Sequence, residues 1–206
     1  MARRIFVVAV LCLLGTGVAF AENSAGARRV EGGIYPAGAI FFGKGSGNSE
    51  PGFGEYTFGG WAGYNANRWF GVASEFGVGV AKRQNLDFAL GRFSDVKTPY
   101  LANYSGNAVW HPRGNDRAVA PYVTGGLGGL TLYQTNGVAQ FGLKSSPTFL
   151  TGNAGGGVKW YRSPNWGLQA DYRWLAVKGK NDTSQFFGLN RNRYGHRVAW
   201  DIVLAK

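Results

Sequence analysis

The feature that most constrains the fold is a strict alternation of side chains over residues 151–177. In the second half of this stretch one parity is apolar and the other is polar, and the tripeptide Ser163-Pro164-Asn165 marks a tight turn before it. The apolar parity comprises Trp166, Leu168, Ala170, Tyr172 and Trp174, and the polar parity comprises Gly167, Gln169, Asp171 and Arg173. A period of two is the period of a β-strand. The stretch therefore predicts a β-hairpin with one apolar and one charged face.

The tryptophans of this hairpin indicate which face meets which environment. Trp160 and Trp166 flank the turn, and Trp174 lies eight residues further along. Eight residues of strand span about 26 Å, or about 19 Å of height at a tilt of ~45°, which is close to the ~25 Å apolar band of an outer-membrane barrel. A soluble sandwich would instead turn its apolar face inward, and the hairpin alone leaves that alternative open. We expect lipid-facing strands with two aromatic girdles.

The first 21 residues have the pattern of a signal peptide. Arg3 and Arg4 precede an apolar run over residues 5–14, and the tripeptide Ala19-Phe20-Ala21 provides a cleavage pattern. The sequence thus predicts a cleaved signal peptide over residues 1–21 and a mature domain over residues 22–206. The single cysteine, Cys12, lies in the signal. We therefore expect no disulfide and no cysteine-based metal site in the mature domain.

Composition narrows the fold class of the mature domain to all-β. Glycine accounts for 34 of 206 residues, more than double the average usage of ~7%, and a glycine inside a helix costs about 1 kcal/mol. No run of about 18 apolar residues follows the signal, so a membrane could be crossed only by strands. The net charge of +11, or +9 without Arg3 and Arg4, favours an anionic membrane surface over nucleic acid as a partner, and the alternative is that these are solvated loop charges.

The lengths of the connections predict a topology. Strands are expected over residues 30–43, 54–65, 69–81, 99–111 and 117–133, in both halves of the hairpin, and over residues 193–206. Long polar loops over residues 44–53, 82–98, 134–148 and 178–192 alternate with short turns at residues 65–68, 112–116 and 163–165. Eight antiparallel strands joined in this way carry every long loop at one end. Bacterial outer-membrane barrels have this asymmetry.

The first predicted strand contains an irregularity. Ile34, Ile40 and Phe42 share one parity and are expected to form one face. Pro36 lies between them, and proline cannot donate a hydrogen bond to a β-ladder. We expect the strand to be irregular at Pro36 or to begin after it.

Glycine and aromatic motifs, taken together in their order and spacing, give the chain a resemblance to a known family. They are residues 60–72, residues 120–123 with Gly125 and Gly128, residues 155–159, residues 169–173 and residues 196–204. On these motifs the chain resembles the small outer-membrane β-barrel family, that is, the OmpA-type membrane domain and its stand-alone relatives. The resemblance implies an eight-stranded antiparallel up-and-down transmembrane β-barrel in the bacterial outer membrane.

The same resemblance implies a role and partners. It implies a structural or surface-interaction role without catalysis or cofactor, and a barrel folded by the outer-membrane assembly machinery. We expect a monomer surrounded by outer-membrane lipid. Members usually finish on an aromatic residue that the machinery reads, whereas this chain finishes Leu204-Ala205-Lys206. We expect that difference to affect the efficiency of assembly.

Charged residues on the inward parity predict a network inside the barrel. Three acidic and three basic residues are expected to face a lumen that side chains fill: Glu75, Asp171, Asp201, Lys159, Arg173 and Arg197. Buried charges need partners, so we interpret the six as an ion-pair network that holds the barrel closed. A gated ion path through them is the alternative. Glu75 with Asp171 or Asp201 is also the one carboxylate set that could perform acid–base chemistry.

Other candidates for chemistry are weak. His111 is followed by Pro-Arg and His196 by Arg-Val, so neither forms the His-x-Ser arrangement of lipid A deacylases. Two histidines without cysteine make a poor metal site, and residues 43–47 lack the ending of a phosphate-binding loop. We predict no catalytic, cofactor-binding or metal-binding residues. A lipid A-modifying membrane enzyme and a soluble secreted β-barrel that binds a small ligand remain the alternatives.

The long loops carry a surplus of basic residues. In two of them basic residues outnumber Asp87, Asp95 and Asp182, leaving net charges of +2 and +3. The basic residues are Lys82, Arg83, Arg92, Lys97, Lys178, Lys180, Arg191 and Arg193. We predict that this rim binds lipopolysaccharide phosphates through charge-assisted hydrogen bonds.

Overall fold

The computed structural model describes residues 28–44, 51–88, 91–139, 146–179 and 192–206. The predicted signal peptide lies outside these residues. Within them, no helix has both the length and the apolar character needed to cross a membrane.

The structure is a closed antiparallel barrel of eight strands with a small hairpin at one end. The strands in chain order are β1 (Val30–Phe42), β2 (Phe53–Asn65), β3 (Phe70–Val80), β4 (Arg83–Phe88), β5 (Gly91–Lys97), β6 (Tyr100–Trp110), β7 (Val119–Tyr133), β8 (Thr148–Tyr161), β9 (Trp166–Val177) and β10 (Arg193–Ala205), with one short helix, α1 (Asn136–Ala139). Each barrel strand pairs with its neighbour in the chain, apart from the β4–β5 hairpin between β3 and β6, and β1 pairs with β10 to close the ring. The predicted fold class is confirmed.

The orientation follows from the connections. Arg28 and Lys206 lie at the same end as the short turns, because the backbone NH of Asn65 donates to the carbonyl of Arg29 at 2.7 Å and the NH of Ala205 donates to the carbonyl of Asn165 at 2.9 Å. In outer-membrane barrels the short turns are periplasmic and the long loops extracellular. We use these two names for the ends of the barrel.

β1 is irregular at Pro36, as expected, and the irregularity corrects the predicted face. The register of β1 shifts between Ile34 and Ala37 against β10, and between Tyr35 and Gly38 against β2. This bulge changes which parity points inward. Ile34 is 60% exposed on the outer face, whereas Ile40 and Phe42 are buried inside. The expectation that these three residues share a face was wrong, because a bulge inserts an extra residue and reverses the alternation beyond it.

The predicted loop over residues 82–98 is in fact mostly a β-hairpin. β4 and β5 pair in antiparallel register, with Arg83 opposite Lys97 and Leu86 opposite Phe93. Leu86 and Val96 are buried, so the hairpin folds over the extracellular mouth. The charged residues of this segment interrupt its short apolar alternation, so the sequence predicted a loop. In the predicted loop over residues 134–148, α1 likewise buries Val138.

The outer surface of the barrel is apolar and carries two bands of aromatic residues. Exposed aromatic residues near the periplasmic end are Tyr64, Trp69, Phe70, Trp110, Trp160 and Trp166, and those near the extracellular end are Phe41, Tyr56, Tyr100, Tyr133, Trp174 and Tyr194. These are the two girdles that the hairpin predicted. Trp166 and Ile202 are more than 40% exposed while Arg173 and Asp201 are under 10% exposed. The apolar faces therefore point outward and the charged faces inward.

The lumen is filled in layers. The extracellular third is an apolar core formed by Ile40, Phe42, Phe53, Leu86, Phe88, Val96, Leu101, Leu130, Leu132, Val138, Phe149 and Val177. The middle contains polar and charged side chains, and a small apolar cluster of Ala120, Tyr161, Val203 and Ala205 lies near the periplasmic end.

Glycines on the inner face make room for side chains that cross the lumen. The Tyr35 hydroxyl donates to the carbonyl of Phe76 at 3.2 Å. To do so its ring lies against Gly59 and Gly77, where an added Cβ would overlap the phenol group. Part of the high glycine content is thus a packing requirement of a narrow barrel.

Candidate functional site

Four charged side chains form the centre of the lumen. Arg173 Nη2 lies 3.5 Å from Glu75 and Arg173 Nε lies 3.0 Å from Asp171. Arg197 also pairs with Glu75, and its Nη2 lies 3.0 Å from Asp171. All four side chains are buried. We call Glu75, Asp171, Arg173 and Arg197 the central quartet, in which each arginine contacts both carboxylates and the formal charges cancel.

Strand register explains why the quartet forms. Arg173 on β9 lies directly opposite Arg197 on β10, an arrangement that is destabilising unless opposite charges separate the two. Asp171 lies two residues from Arg173 on the same face, and Glu75 reaches across the lumen from β3. Tyr122 fixes Asp171 further, because its hydroxyl donates to the carboxylate at 2.5 Å.

The other two predicted members of the network lie outside the quartet. Asp201 makes no ion pair within the described ranges, and it accepts hydrogen bonds from Trp61 Nε1 at 3.2 Å and from Gln169 Nε2 at 3.1 Å. Lys159 pairs with Glu31 instead, and the hydroxyl of Tyr161 also donates to Glu31. The six predicted residues are all buried, but they divide into a quartet, a separate ion pair and a carboxylate held by neutral donors.

Two buried carboxylates were missed by the sequence analysis. Glu31 lies below the bulge of β1 and Glu55 lies on β2, and both point inward. The bulge at Pro36 interrupts the alternation of β1, so the sequence did not predict that Glu31 points inward. The inward direction of Glu55 could have been predicted, because Glu55 shares the parity of Thr57 and not that of the apolar residues Tyr56 and Phe58.

Glu55 differs from every other lumenal carboxylate in its surroundings. Its side chain is 2% exposed, and within the described part of the chain neither oxygen has a hydrogen-bond partner or an ion pair. One oxygen lies over Gly79, 2.7 Å from the point where a Cβ would stand. The residue directly opposite Glu55 on the neighbouring strand β1 is the apolar Ile40. A buried carboxylate without a partner is costly to stability.

The lumen leaves little open space around the quartet. A cavity of about 20 Å³ lies between Glu75, Asn103, Arg173 and Arg197, and another of about 20 Å³ lies beside Trp61 and Lys159. Each has room for about one water molecule. Above them the apolar core fills the extracellular third of the barrel.

Arg28 closes the periplasmic end. Its guanidinium donates to the carbonyls of Asn115 and Arg117 in one turn and of Pro164 in another, and it stacks 3.6 Å from the centre of the Tyr161 ring. The carbonyl of Arg28 accepts from Asn115 Nδ2 at 2.7 Å and from Asn65 Nδ2 at 2.8 Å. One residue thus ties together all three periplasmic turns.

The predicted basic rim divides into paired and unpaired cations. Arg83 pairs with Asp95, and Arg92 Nε lies 3.8 Å from Asp87. Lys82 and Lys97 make no ion pair within the described ranges, and each ammonium lies 5.3 Å from the centre of an outward-facing ring, Tyr56 and Tyr100 respectively. Lys178 is exposed, and Lys180 and Arg191 lie outside the described residues.

Arg193 is a correction to the predicted rim. Its side chain is buried, and Nη2 donates to the carbonyls of Gly43 at 2.7 Å and Pro51 at 2.8 Å. Arg193 begins β10 on the inward parity, so its guanidinium turns into the mouth of the barrel and anchors the first extracellular loop. It is not available to an external phosphate.

The two histidines lie at different places in the barrel, one on its outer face and one in its interior. His196 faces outward on β10, where its Nδ1 lies 2.7 Å from the Tyr172 hydroxyl. His111 lies just beyond the periplasmic end of β6 and is fully buried, with its ring 6.1 Å from that of Tyr122. Burial, followed by repulsion from Lys159, lowers the pKa of His111 to about 4. It is neutral at pH 7.

Two of the candidate acid–base carboxylates, Glu75 and Asp171, are brought together. Glu75 and Asp171 share the same two arginines, so both carboxylates are engaged in ion pairs. Throughout the described part of the chain, no group of three or more histidine or acidic side chains could hold a metal ion.

Comparison with known families decides what kind of barrel this is. A model of the outer membrane protein beta-barrel domain matches residues 6–193. The chain belongs to this family of outer-membrane β-barrels. Membership and the apolar outer surface argue against the soluble sandwich and the soluble secreted barrel that the sequence left open, and they support a location in the outer membrane. A sequence comparison with curated proteins finds no significant match.

Solved structures of outer-membrane barrels share the fold. Neisserial surface protein A is 15% identical, with a TM-score of 0.57, covering 89% of this chain and 100% of that chain. The N-terminal β-barrel domain of Pseudomonas aeruginosa OprF is 16% identical, with a TM-score of 0.50, covering 86% of this chain and 98% of that chain. At these identities the similarity concerns the fold of the family.

Proposed function

We propose that this outer-membrane β-barrel is a closed, non-catalytic envelope protein whose extracellular rim binds lipopolysaccharide. The observation that carries the proposal is the position of Lys82 and Lys97. Each ammonium lies above a tyrosine of the extracellular girdle and has no carboxylate partner among the described residues. Girdle tyrosines sit at the level of the headgroups, and this supports a position of both ammonium groups near lipid phosphates.

Ion pairs distinguish the neighbouring arginines from Lys82 and Lys97. Arg83 pairs with Asp95 within its own hairpin, and Arg92 shares Asp87 with Lys44, whose ammonium lies 3.2 Å from that carboxylate. The hydroxyl of Thr98 and the backbone of Lys82 exchange hydrogen bonds, which holds the bases of β4 and β5 together. The two lysines therefore lie at the paired base of one hairpin, on one side of the barrel. We define the lipopolysaccharide site as Lys82 and Lys97.

The test is retention of lipopolysaccharide by the refolded protein. Wild type, the double variant K82Q/K97Q and the matched control R83Q/R92Q are incubated with deep-rough lipopolysaccharide, washed at low and high salt, and assayed for bound phosphate. We expect K82Q/K97Q to lose most of the salt-sensitive retention and the control to keep it, because the control arginines already bind aspartates. Equal retention by K82Q/K97Q and wild type would refute the site.

Closure of the lumen is a separate part of the proposal. It is supported by the apolar core above the quartet, by cavities of about 20 Å³ around the quartet and by the Arg28 clasp below. Recordings in planar bilayers should show no large, steady conductance. A stable open level in the wild-type protein would favour the gated ion path.

The absence of catalysis is also proposed. It is supported by the pairing of Glu75 and Asp171 with arginines and by the separation of His111 from His196. Incubation with labelled lipid A should leave its acyl chains unchanged, and release of fatty acid would restore the enzyme alternative. We further propose that the barrel is monomeric, because all eight strands pair within one chain.

A further inference from the structure

The periplasmic turns carry a concentration of positive charge that the lipopolysaccharide proposal does not use. Among the described residues, the exposed side chains in these turns include four arginines and one carboxylate, Asp116. We call Arg68, Arg113, Arg117 and Arg162 the turn arginines. They come from all three turns, so they surround the periplasmic rim rather than forming one local patch.

The turn arginines differ from the extracellular arginines in their partners. Arg83 and Arg92 at the other end are paired with aspartates. None of the four turn arginines forms an ion pair with another described residue, and Arg28, which closes the barrel, is the guanidinium that binds the turn carbonyls. Four exposed guanidinium groups are therefore available to an external anion.

Tryptophans lie near three of the four turn arginines and indicate the depth of these groups. The Arg68 guanidinium lies 4.7 Å from the centre of the Trp69 ring, and Arg162 lies in the turn between the exposed Trp160 and Trp166. Arg113 follows Trp110 by three residues. Tryptophan rings of a girdle lie at the boundary between hydrocarbon and headgroups. A guanidinium beside such a ring lies at the level of lipid phosphates.

We propose that the turn arginines form a binding belt for anionic phospholipids of the periplasmic leaflet, of the phosphatidylglycerol or cardiolipin class. The guanidinium group binds a phosphate through two parallel hydrogen bonds, and basic clusters at a membrane surface attract anionic lipids. A polymer of the periplasm, such as peptidoglycan, would instead be met by groups that project away from the membrane, and the contact between Arg68 and Trp69 argues for the headgroup level. The proposal is independent of the lipopolysaccharide site, which lies at the other end.

The test measures lipid preference directly. The refolded full-length mature chain is mixed in detergent with equal amounts of dioleoyl phosphatidylglycerol and dioleoyl phosphatidylcholine, and the lipids retained are counted by native mass spectrometry. The key variant is R68Q/R113Q/R117Q/R162Q. The first control is the fourfold Arg→Lys variant, which keeps the charge, and the second is R83Q/R92Q, which removes arginines that already have partners. A heat-dependent shift in electrophoretic mobility confirms that each variant forms a closed barrel.

We expect the wild type to retain more phosphatidylglycerol than phosphatidylcholine. In the fourfold Gln variant the ratio of retained phosphatidylglycerol to phosphatidylcholine should fall about tenfold. Both control variants should keep most of it. An unchanged preference in the Gln variant overturns the proposal. If the preference is unchanged while binding to purified peptidoglycan sacculi is lost, the belt serves the cell wall instead and the lipid assignment is wrong.

Discussion

Arg173 and Arg197 lie directly opposite each other inside the barrel, and both contact the carboxylates of Glu75 and Asp171. Two like charges in register on adjacent strands would repel each other. The carboxylates convert this repulsion into a compact, neutral cluster that links β3, β9 and β10 across the lumen.

The quartet predicts a large cost for removing one carboxylate. Glu75→Gln leaves two buried guanidinium groups with Asp171 alone, and breaking a buried ion pair from one side costs about 3–5 kcal/mol. We expect the free energy of unfolding, measured by urea titration of the protein in detergent micelles with tryptophan fluorescence, to fall by that amount. The control Asp87→Asn alters exposed pairs and should cost less than about 1 kcal/mol. Equal effects of the two substitutions would contradict a structural role for the quartet.

Glu55 predicts the opposite effect for removing a carboxylate. Its buried oxygens have no partner in the described part of the chain, and its neighbours include the apolar Ile40 and Leu101, which also borders Gly79. Glu55→Met keeps a similar volume and removes the unpaired group, which should raise the free energy of unfolding by about 1–3 kcal/mol. The same urea titration measures it. Destabilisation would indicate that Glu55 has a native partner and a role in the mouth of the barrel.

His111 predicts a dependence of stability on pH. Its pKa in the folded protein is about 4, below the value of about 6.5 in an unfolded chain. The unfolded state therefore binds more protons between these values, so this contribution is fully present above about pH 6.5 and is lost as the pH falls toward 4. The urea midpoint of wild type should drop across this window more than that of His111→Gln. Parallel pH profiles would show that His111 does not become neutral on folding.

The glycines predict a position-dependent response to one added methyl group. At Gly77 a Cβ would overlap the Tyr35 hydroxyl, whereas at Gly106 no heavy atom lies within 4 Å of the added Cβ. Gly77→Ala should lower the free energy of unfolding by about 1–3 kcal/mol because it displaces a packed side chain. Gly106→Ala should be neutral or slightly stabilising, because alanine restricts the unfolded chain more than glycine does. If the two variants unfold at the same urea concentration, the packing of Tyr35 against Gly77 is not significant.

The sequence determined those properties of this protein that depend on local alternation and spacing. A strand reverses its side chains at every residue, so the lipid-facing rows, the girdles and the inward direction of Asp171, Arg173 and Asp201 could be read without coordinates. The succession of long and short connections along the chain likewise predicted eight antiparallel strands paired in chain order. These properties require no knowledge of which residues meet across the lumen.

Only the tertiary structure decided the partners. The stagger of the closed barrel brings Lys159 beside Glu31, 128 residues away, and leaves Glu55 without an ion pair among the described residues. The bulge at Pro36 reverses one strand, the β4–β5 hairpin fills the mouth, and Arg193 turns inward to backbone carbonyls. Contacts across a lumen depend on the shear and closure of the whole ring, and an alternating pattern within one strand contains no information about either.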